Sequence, residues 1–300
     1  MSTKKTLLIL IKVGILAGLI ALAITTQDLH QIWTLISKVD LRYLGAFLLL
    51  NVASVAMASS NLFILLRPLG RKTPWRRLFY FDLLSLAGSY YTPGGVGGVA
   101  TIAYMISKEA GLKDAAVVVF MDKAITLLVA SLLMGVYGVF FAQVPIGIAW
   151  GVFGLVLAAM AGLMAAMYLS GWLRERALKT LERARCYWGS MPVLGANLVI
   201  TLGIFLLSSM QYMAAFRAIG LPVEDPILIF ISCGILLIIN YLPIAFGGIG
   251  LGEVSAVFLW GGMGLTSEQV LSAMLTVRVF AFLATLLLGG GALLVRQYKK

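Results

Sequence analysis

The sequence predicts an all-α polytopic membrane protein built from inverted repeats, each containing a re-entrant helical hairpin, with about six full spans and two hairpins in all. Three observations lead there. Of 300 residues, 61% are hydrophobic and 12% charged, far from the roughly 25% charged residues of a soluble domain. The phrase Tyr91-x-Pro93-x-x-x-Gly97-Gly98 returns unchanged 150 positions later as Tyr241-x-Pro243-x-x-x-Gly247-Gly248. Lysine and arginine gather in loops that one threading of the chain brings to the same side of a bilayer.

The apolar runs follow one another at 6–24, 43–66, an interrupted run 78–106, then 115–142, 146–169, 193–216, a second interrupted run 227–262, and 270–295. A spanning helix needs about 20 residues. The first run follows Lys4 and Lys5 as a signal peptide would, yet has no clear small-residue cleavage site, so it reads as a retained helix. Within the first interrupted run the pieces 78–91 and 99–106 have 14 and 8 residues. Neither crosses a bilayer alone, and a hairpin that enters and leaves by one face accommodates both. The second interrupted run is more open, since 227–246 alone has the length to span.

Proline followed by paired glycines interrupts a helix, because proline has no N–H and glycine has low helix propensity. In lipid such a break is tolerated only where the freed N–H and C=O groups are buried in protein or line a polar cavity. The two breaks therefore mark the expected working site. Sliding the chain by 150 residues aligns 44–98 with 194–248 without a gap, and 13 of the 55 pairs are identical, Arg67 with Arg217 and Gly70 with Gly220 among them. We read 1–300 as a single membrane domain. Repeat 1 covers about 42–142 and repeat 2 about 192–295, joined by the helix 146–169 and a basic loop 170–192.

With the amino terminus inside, the loop containing Arg67, Arg71, Lys72, Arg76 and Arg77 lies inside. So do Lys108 and Lys113, if the hairpin returns to its own side, and the segment with Arg174, Arg176, Lys179, Arg183 and Arg185. The acidic loop with Glu224 and Asp225 then lies outside, and Arg296, Lys299 and Lys300 return to the cytoplasm. Both termini are cytoplasmic, and the first repeat begins outside while the second begins inside. Inverted repeats with broken helices meeting near the midplane are the architecture of secondary transporters.

Four ionisable residues near the breaks lie in apolar sequence: Asp122, Lys123, Glu253 and Arg278. Each costs at least roughly 2.5–3.5 kcal/mol to insert, and so should face a cavity or a partner. Asp122 and Lys123 stand about 12 Å into their helix, and as neighbours in sequence they are expected to find different partners. Arg278 is expected to pair with Glu253 or with Asp122, either as a structural bridge or as part of a headgroup site. Glu253 follows Gly247-Gly248-Ile249-Gly250 and should sit at a resumed helix start, where N–H groups and the helix dipole favour an anion. In the functional reading, N–H groups at the two breaks, Gly97, Gly98, Gly247, Gly248 and Gly250 among them, receive a lipid phosphate together with Arg278 or Lys123, while Glu253 or Asp122 receives a cationic group or a proton. Tyr91 and Tyr241, beside Pro93 and Pro243, are placed to bond a headgroup or a freed carbonyl.

Several classes are excluded. Cys186, Cys233 and the single histidine, His30, supply neither metal spacing nor a Cys/His catalytic site, and no cofactor is called for. The run Gly94-Gly95-Val96-Gly97-Gly98 has no following Gly-Lys-Ser/Thr, so it is not a nucleotide loop. The basic segment 174–185 also carries Glu175 and Glu182. It reads as a solvated or lipid-facing loop and not as a nucleic-acid site.

With these residues in hand, the chain resembles the lysylphosphatidylglycerol synthase transmembrane-region family, the flippase-like domain found alone or fused to an aminoacyltransferase. The resemblance rests on Thr92-Pro93-Gly94-Gly95-Val96-Gly97-Gly98, on Asp122-Lys123 where the family often has Asp-Arg, and on Pro243 with Gly247-Gly248-Ile249-Gly250-Leu251-Gly252-Glu253, followed by Arg278. Many members place an acidic residue after the first paired glycines and an arginine a few residues on; Val99 and Ile102-Ala103-Tyr104 stand here instead. The resemblance implies a stand-alone cytoplasmic-membrane protein that moves a phospholipid or polyprenyl-linked lipid between leaflets and has no lipid-aminoacylating activity of its own. Its expected partners are the membrane lipid itself and a separately encoded lipid-modifying enzyme, and a homo-oligomer is compatible with it. A membrane transferase acting on a lipid carrier and a small-solute transporter are the alternatives.

Overall fold

The computed structural model describes residues 29–90, 92, 95–140, 180–241 and 251–293, and every element among them is helical. In chain order they are α1 (Leu29–Ile36), α2 (Arg42–Leu66), α3 (Trp75–Tyr90), α4 (Val96–Ala110), α5 (Leu112–Phe140), α6 (Met191–Ala218), α7 (Pro226–Tyr241), α8 (Leu251–Trp260) and α9 (Ser267–Ala284). A short 3-10 turn, Arg185–Tyr187, precedes α6, and α9 continues through a π-helical turn, Thr285–Gly289, to residue 293. The runs 6–24 and 146–169, the linker 170–179, Tyr91, Pro93, Pro243, Gly247, Gly248 and Gly250 lie outside the described residues.

Four of these helices, α2, α5, α6 and α9 with its extension, are long and apolar enough to cross a membrane. No more than 44% of the most apolar window of any of them is buried against protein. Their outward faces carry side chains such as Leu49, Leu132, Val199, Leu206, Val279 and Leu287, an apolar surface that water would penalise and lipid does not. The protein is therefore a multi-pass membrane protein.

α2 and α6 form the most extensive helix pair, and they run antiparallel. The amide of Asp40, before α2, donates to the carbonyl of Ala218 at the end of α6. Further along, Met57 lies against Gly203 and the Asn61 amide donates to Thr201 Oγ1 at 3.1 Å. Both helices end in the same cap. Gly70 and Gly220 adopt left-handed φ values of 71° and 77°. Arg71 N–H returns to the Leu66 carbonyl, and Leu221 N–H to that of Phe216. These are positions where glycine closes a Schellman-type end at least cost.

α3 and α4 pack together as a hairpin of 16 and 15 residues, longer than the sequence pieces suggested because the helices extend to Trp75 and Ala110. They begin and end at one end of the bundle: Arg77, in the first turn of α3, bonds Glu109, in the last turn of α4, at 3.0 Å. Asp114, 1% exposed at the start of α5, accepts from Arg71 Nε at 2.7 Å and from Arg183 Nε. Tyr187 donates its hydroxyl to the Leu65 carbonyl. The loop 67–77, the α4–α5 turn and residues 183–187 are thus clasped together by ionic and backbone bonds.

Two apolar cores flank the middle of the molecule. One gathers Leu62, Leu66, Leu78, Phe81, Val117 and Tyr187. The other gathers Phe216, Leu228, Ile231, Ala256 and Trp260. Leu66, Leu78 and Phe81 of the first correspond, 150 residues on, to Phe216, Leu228 and Ile231 of the second. Trp260 is fully buried, with its indole N–H donating to Ser232 Oγ at 2.8 Å.

The glycines of the first break hold the hairpin tip closed. A Cβ on Gly98 would stand 2.9 Å from the Ser85 carbonyl and closer still to Ser89 Oγ, and one on Gly97 would stand 2.6 Å from the Gly88 carbonyl. Gly98→Ala should therefore push α3 and α4 apart and destabilise by about 1–3 kcal/mol. Gly135→Ala in α5, where nothing lies within 4 Å, should be neutral. Thermal unfolding of the two variants in detergent measures the contrast.

Candidate functional site

A cavity of about 800 Å³ lies between the two cores, lined from α2, α3, α4, α5, α6, α7 and α9. Leu62 belongs to the first core and Phe205 and Cys233 to the second. The charged groups on its wall are Asp82, Asp122, Lys123 and Arg278. Arg278, Ala281 and Thr285, at i, i+3 and i+7 on one helical face, line it from α9 and its extension, and a π turn of the kind that recurs at functional sites begins at Thr285.

Arg278 donates from Nε to Glu253 Oε1, and both side chains are largely buried. This realises one of the two pairings that the sequence left open for Arg278. Glu253 sits in the first turn of α8, as its glycine-rich approach predicts. The guanidinium and the Asn240 side chain of α7 both approach Gly252. A Cβ on Gly252 would be 3.6 Å from Arg278 Nη2 and 3.4 Å from Asn240 Oδ1. Asn240 Oδ1 is buried without a hydrogen-bond partner among the described residues.

Asp122 and Lys123 depart from expectation. Adjacent helical positions do not face each other, but the four-carbon lysine stem folds back and places Nζ 2.9 Å from Asp122 Oδ2. The two therefore bond each other on the cavity wall. Gly98 lines the cavity, while Gly97 spends its N–H on Thr92 Oγ1 at 2.7 Å, and Thr92 in turn donates to the Gly88 carbonyl. Gly97 serves the tip of the hairpin. The backbone of Tyr241 closes α7, and its side chain, like Tyr91, Pro93, Pro243, Gly247, Gly248 and Gly250, lies outside the described residues.

Sequence reasoning missed Asp82, Asn51 and Asn240. Asp82 is 5% exposed, lines the cavity and accepts from Ser59 Oγ at 2.6 Å. Its signal was present, since it is the one acidic residue in the apolar piece 78–91. Asn51, on the cavity wall from α2, also has an unpartnered buried oxygen. Neither asparagine carries a charge, so hydropathy alone does not mark them.

A family model described as the lysylphosphatidylglycerol synthase TM region matches residues 9–289. The chain belongs to the lysylphosphatidylglycerol synthase transmembrane-region family. A search of curated proteins and a search of solved structures each found no match. A guanidinium, an ammonium, three carboxylates counting Glu253, and amide and hydroxyl groups sit in otherwise apolar surroundings. Among the described residues, no three of the histidines, cysteines and carboxylates come together as a metal site.

Removing one partner of a buried pair strands the other charge, a loss of about 3–5 kcal/mol, whereas neutralising both is far milder. Glu253→Gln should therefore lower the unfolding temperature of the detergent-solubilised protein. Glu253→Gln combined with Arg278→Gln should recover most of that loss.

Proposed function

We propose that the chain moves a phospholipid or a polyprenyl-linked lipid between leaflets of the cytoplasmic membrane. The headgroup passes through the central cavity and the acyl chains stay in the bilayer. The observation that carries this reading is a cavity among the spans of a multi-pass bundle, where a guanidinium and an ammonium are paired with carboxylates and amides and hydroxyls share the wall with apolar side chains. Arg278, beside Gly252 and Asn240, is the group that receives a lipid phosphate, since guanidinium binds phosphate through a planar fork of donors. Glu253 holds it in place and yields part of its bond when the phosphate arrives.

The antiparallel α2 and α6, with matching caps, and the α3–α4 hairpin that leaves and returns at one end support inverted repeats over about 42–142 and 192–295. Each repeat contributes a re-entrant hairpin, and the near-symmetry supplies inward-facing and outward-facing states of similar energy. The basic end, with Arg71, Arg77 and Arg183, faces the cytoplasm, as do both termini. The protein is not itself an enzyme in this reading, and it serves a lipid-modifying enzyme encoded elsewhere.

In liposomes, purified protein should accelerate transbilayer movement of fluorescent anionic or zwitterionic phospholipid relative to protein-free vesicles. The Glu253→Gln, Arg278→Gln double variant should lose that movement by roughly tenfold or more, the scale of a charge-assisted bond. Wild-type vesicles that move no phospholipid or polyprenyl-linked lipid would refute the reading. Product formation from a lipid donor and acceptor, or uptake of a water-soluble solute, would replace it with a transferase or a solute transporter.

A further inference from the structure

The two ion pairs account for Asp122 and Glu253, but Asp82 has no cation within ion-pair distance among the described residues. A buried, ionised carboxylate without a cation is costly. Asp82 is nonetheless surrounded in a way that suits either of its protonation states. Ser59, fully buried on α2, has its Oγ 2.6 Å from Asp82 Oδ2 and 2.8 Å from the Val55 carbonyl. A hydroxyl has one hydrogen and accepts on its lone pairs. When Asp82 is ionised, Ser59 donates to it. When Asp82 carries a proton, its own O–H donates to Ser59 Oγ, and the serine hydrogen turns to the Val55 carbonyl. Both states are hydrogen-bonded without movement of a heavy atom.

The surroundings give such a proton a consequence. α3 packs on α2, which bears Ser59 and Asn51, on α4, which gives only apolar and glycine positions to the cavity wall, and on the π turn with Thr285; Asp122 and Lys123 of α5, Tyr212 of α6 and Arg278 of α9 share that wall with Asp82. With Asp82 ionised, the wall groups and Glu253 together hold one net negative charge and repel an anionic headgroup. With Asp82 protonated they are neutral overall, and that repulsion is gone. The corresponding positions 150 residues on, Ser209 and Ser232, are both fully buried hydroxyls. Ser232 there accepts from Trp260. The carboxylate exists in one half of the molecule only.

We propose that Asp82 is a proton-exchange site open to the cavity, and that an anionic lipid headgroup crosses together with the proton it carries. Hydronium in cavity water gives its proton to Asp82 Oδ2 on one side, one O–H bond breaking in the hydronium as one forms on the carboxylate, and water on the other side takes the proton back as hydronium. The coupling rests on the lipid-transport reading; the proton site does not. A sodium site is disfavoured, because one carboxylate and one serine fall short of the five or six oxygens such an ion takes.

Two measurements test this. Infrared difference spectra of the protein in lipid films, recorded across a pH series, should show a buried carboxylic C=O band that is absent in Asp82→Asn and displaced in Asp82→Glu. In Ser59→Ala the same band should titrate at a different pH. A spectrum unchanged by Asp82→Asn overturns the site. In proteoliposomes carrying fluorescent phosphatidylglycerol, an imposed pH gradient should change the wild-type rate several-fold and reverse its preferred direction with the gradient. In Asp82→Asn the ratio of rates in the two directions should fall to one, while Asp82→Glu should keep the dependence. A ratio that persists in Asp82→Asn, or a sodium gradient that replaces the pH gradient, overturns the coupling. If the band behaves as expected but the wild type moves no lipid, the proton site stands and the lipid-transport reading falls.

Discussion

Lipid offers no hydrogen bonds, so every charge and every break in regular backbone that this chain places among its spans must find its partner within the chain. That constraint organises the molecule. At one end, where water is near, Asp114 gathers Arg71 and Arg183, and Arg77 meets Glu109. In the middle, Arg278 is held by Glu253 and Lys123 by Asp122. Among the described residues, Asp82, on the same cavity wall, is held by the Ser59 hydroxyl instead of a cation.

The same constraint shapes the seam between α2 and α6. Asn61 reaches Thr201 across it, while Asn51, Ser54, Asn61 and Asn197 each keep a buried polar atom without a partner among the described residues. Polar atoms left this way in lipid are expensive. A seam that can trade partners by a small slide is what the alternation proposed above requires. Position 51 corresponds to 201, so the two sides of this seam bear polar groups at the same place in each half.

How much was legible in the sequence follows from which forces hydropathy records. Composition and run length marked the spans, and the deep charges Asp122, Lys123, Glu253 and Arg278 were visible because charge in apolar sequence is rare. Glu253 with Arg278 was one of two pairings left open. The Asp122–Lys123 bond was not foreseen, because helical spacing speaks of Cβ directions and a lysine stem can turn back on itself. Asp82, the one charge in its apolar piece, stands more than two helical turns before the first break, so the break does not mark it. Asn51 and Asn240 were not legible at all, since a neutral amide acquires meaning only when the fold buries its oxygen beside a guanidinium or a cavity. The paired glycines were read as a phosphate cradle, whereas Gly97 and Gly98 also close the tip of the α3–α4 hairpin, a role set by a neighbour that sequence distance hides.

The central claim is that a lipid headgroup enters the cavity between the two cores. Phospholipid bearing a photoactivatable headgroup, crosslinked to the protein in vesicles and mapped by mass spectrometry, tests it most directly. Adducts should fall on cavity residues such as Asp82, Tyr212, Asn240 and Arg278. Adducts confined to outward-facing positions such as Leu132, Val279 and Leu287 would contradict it.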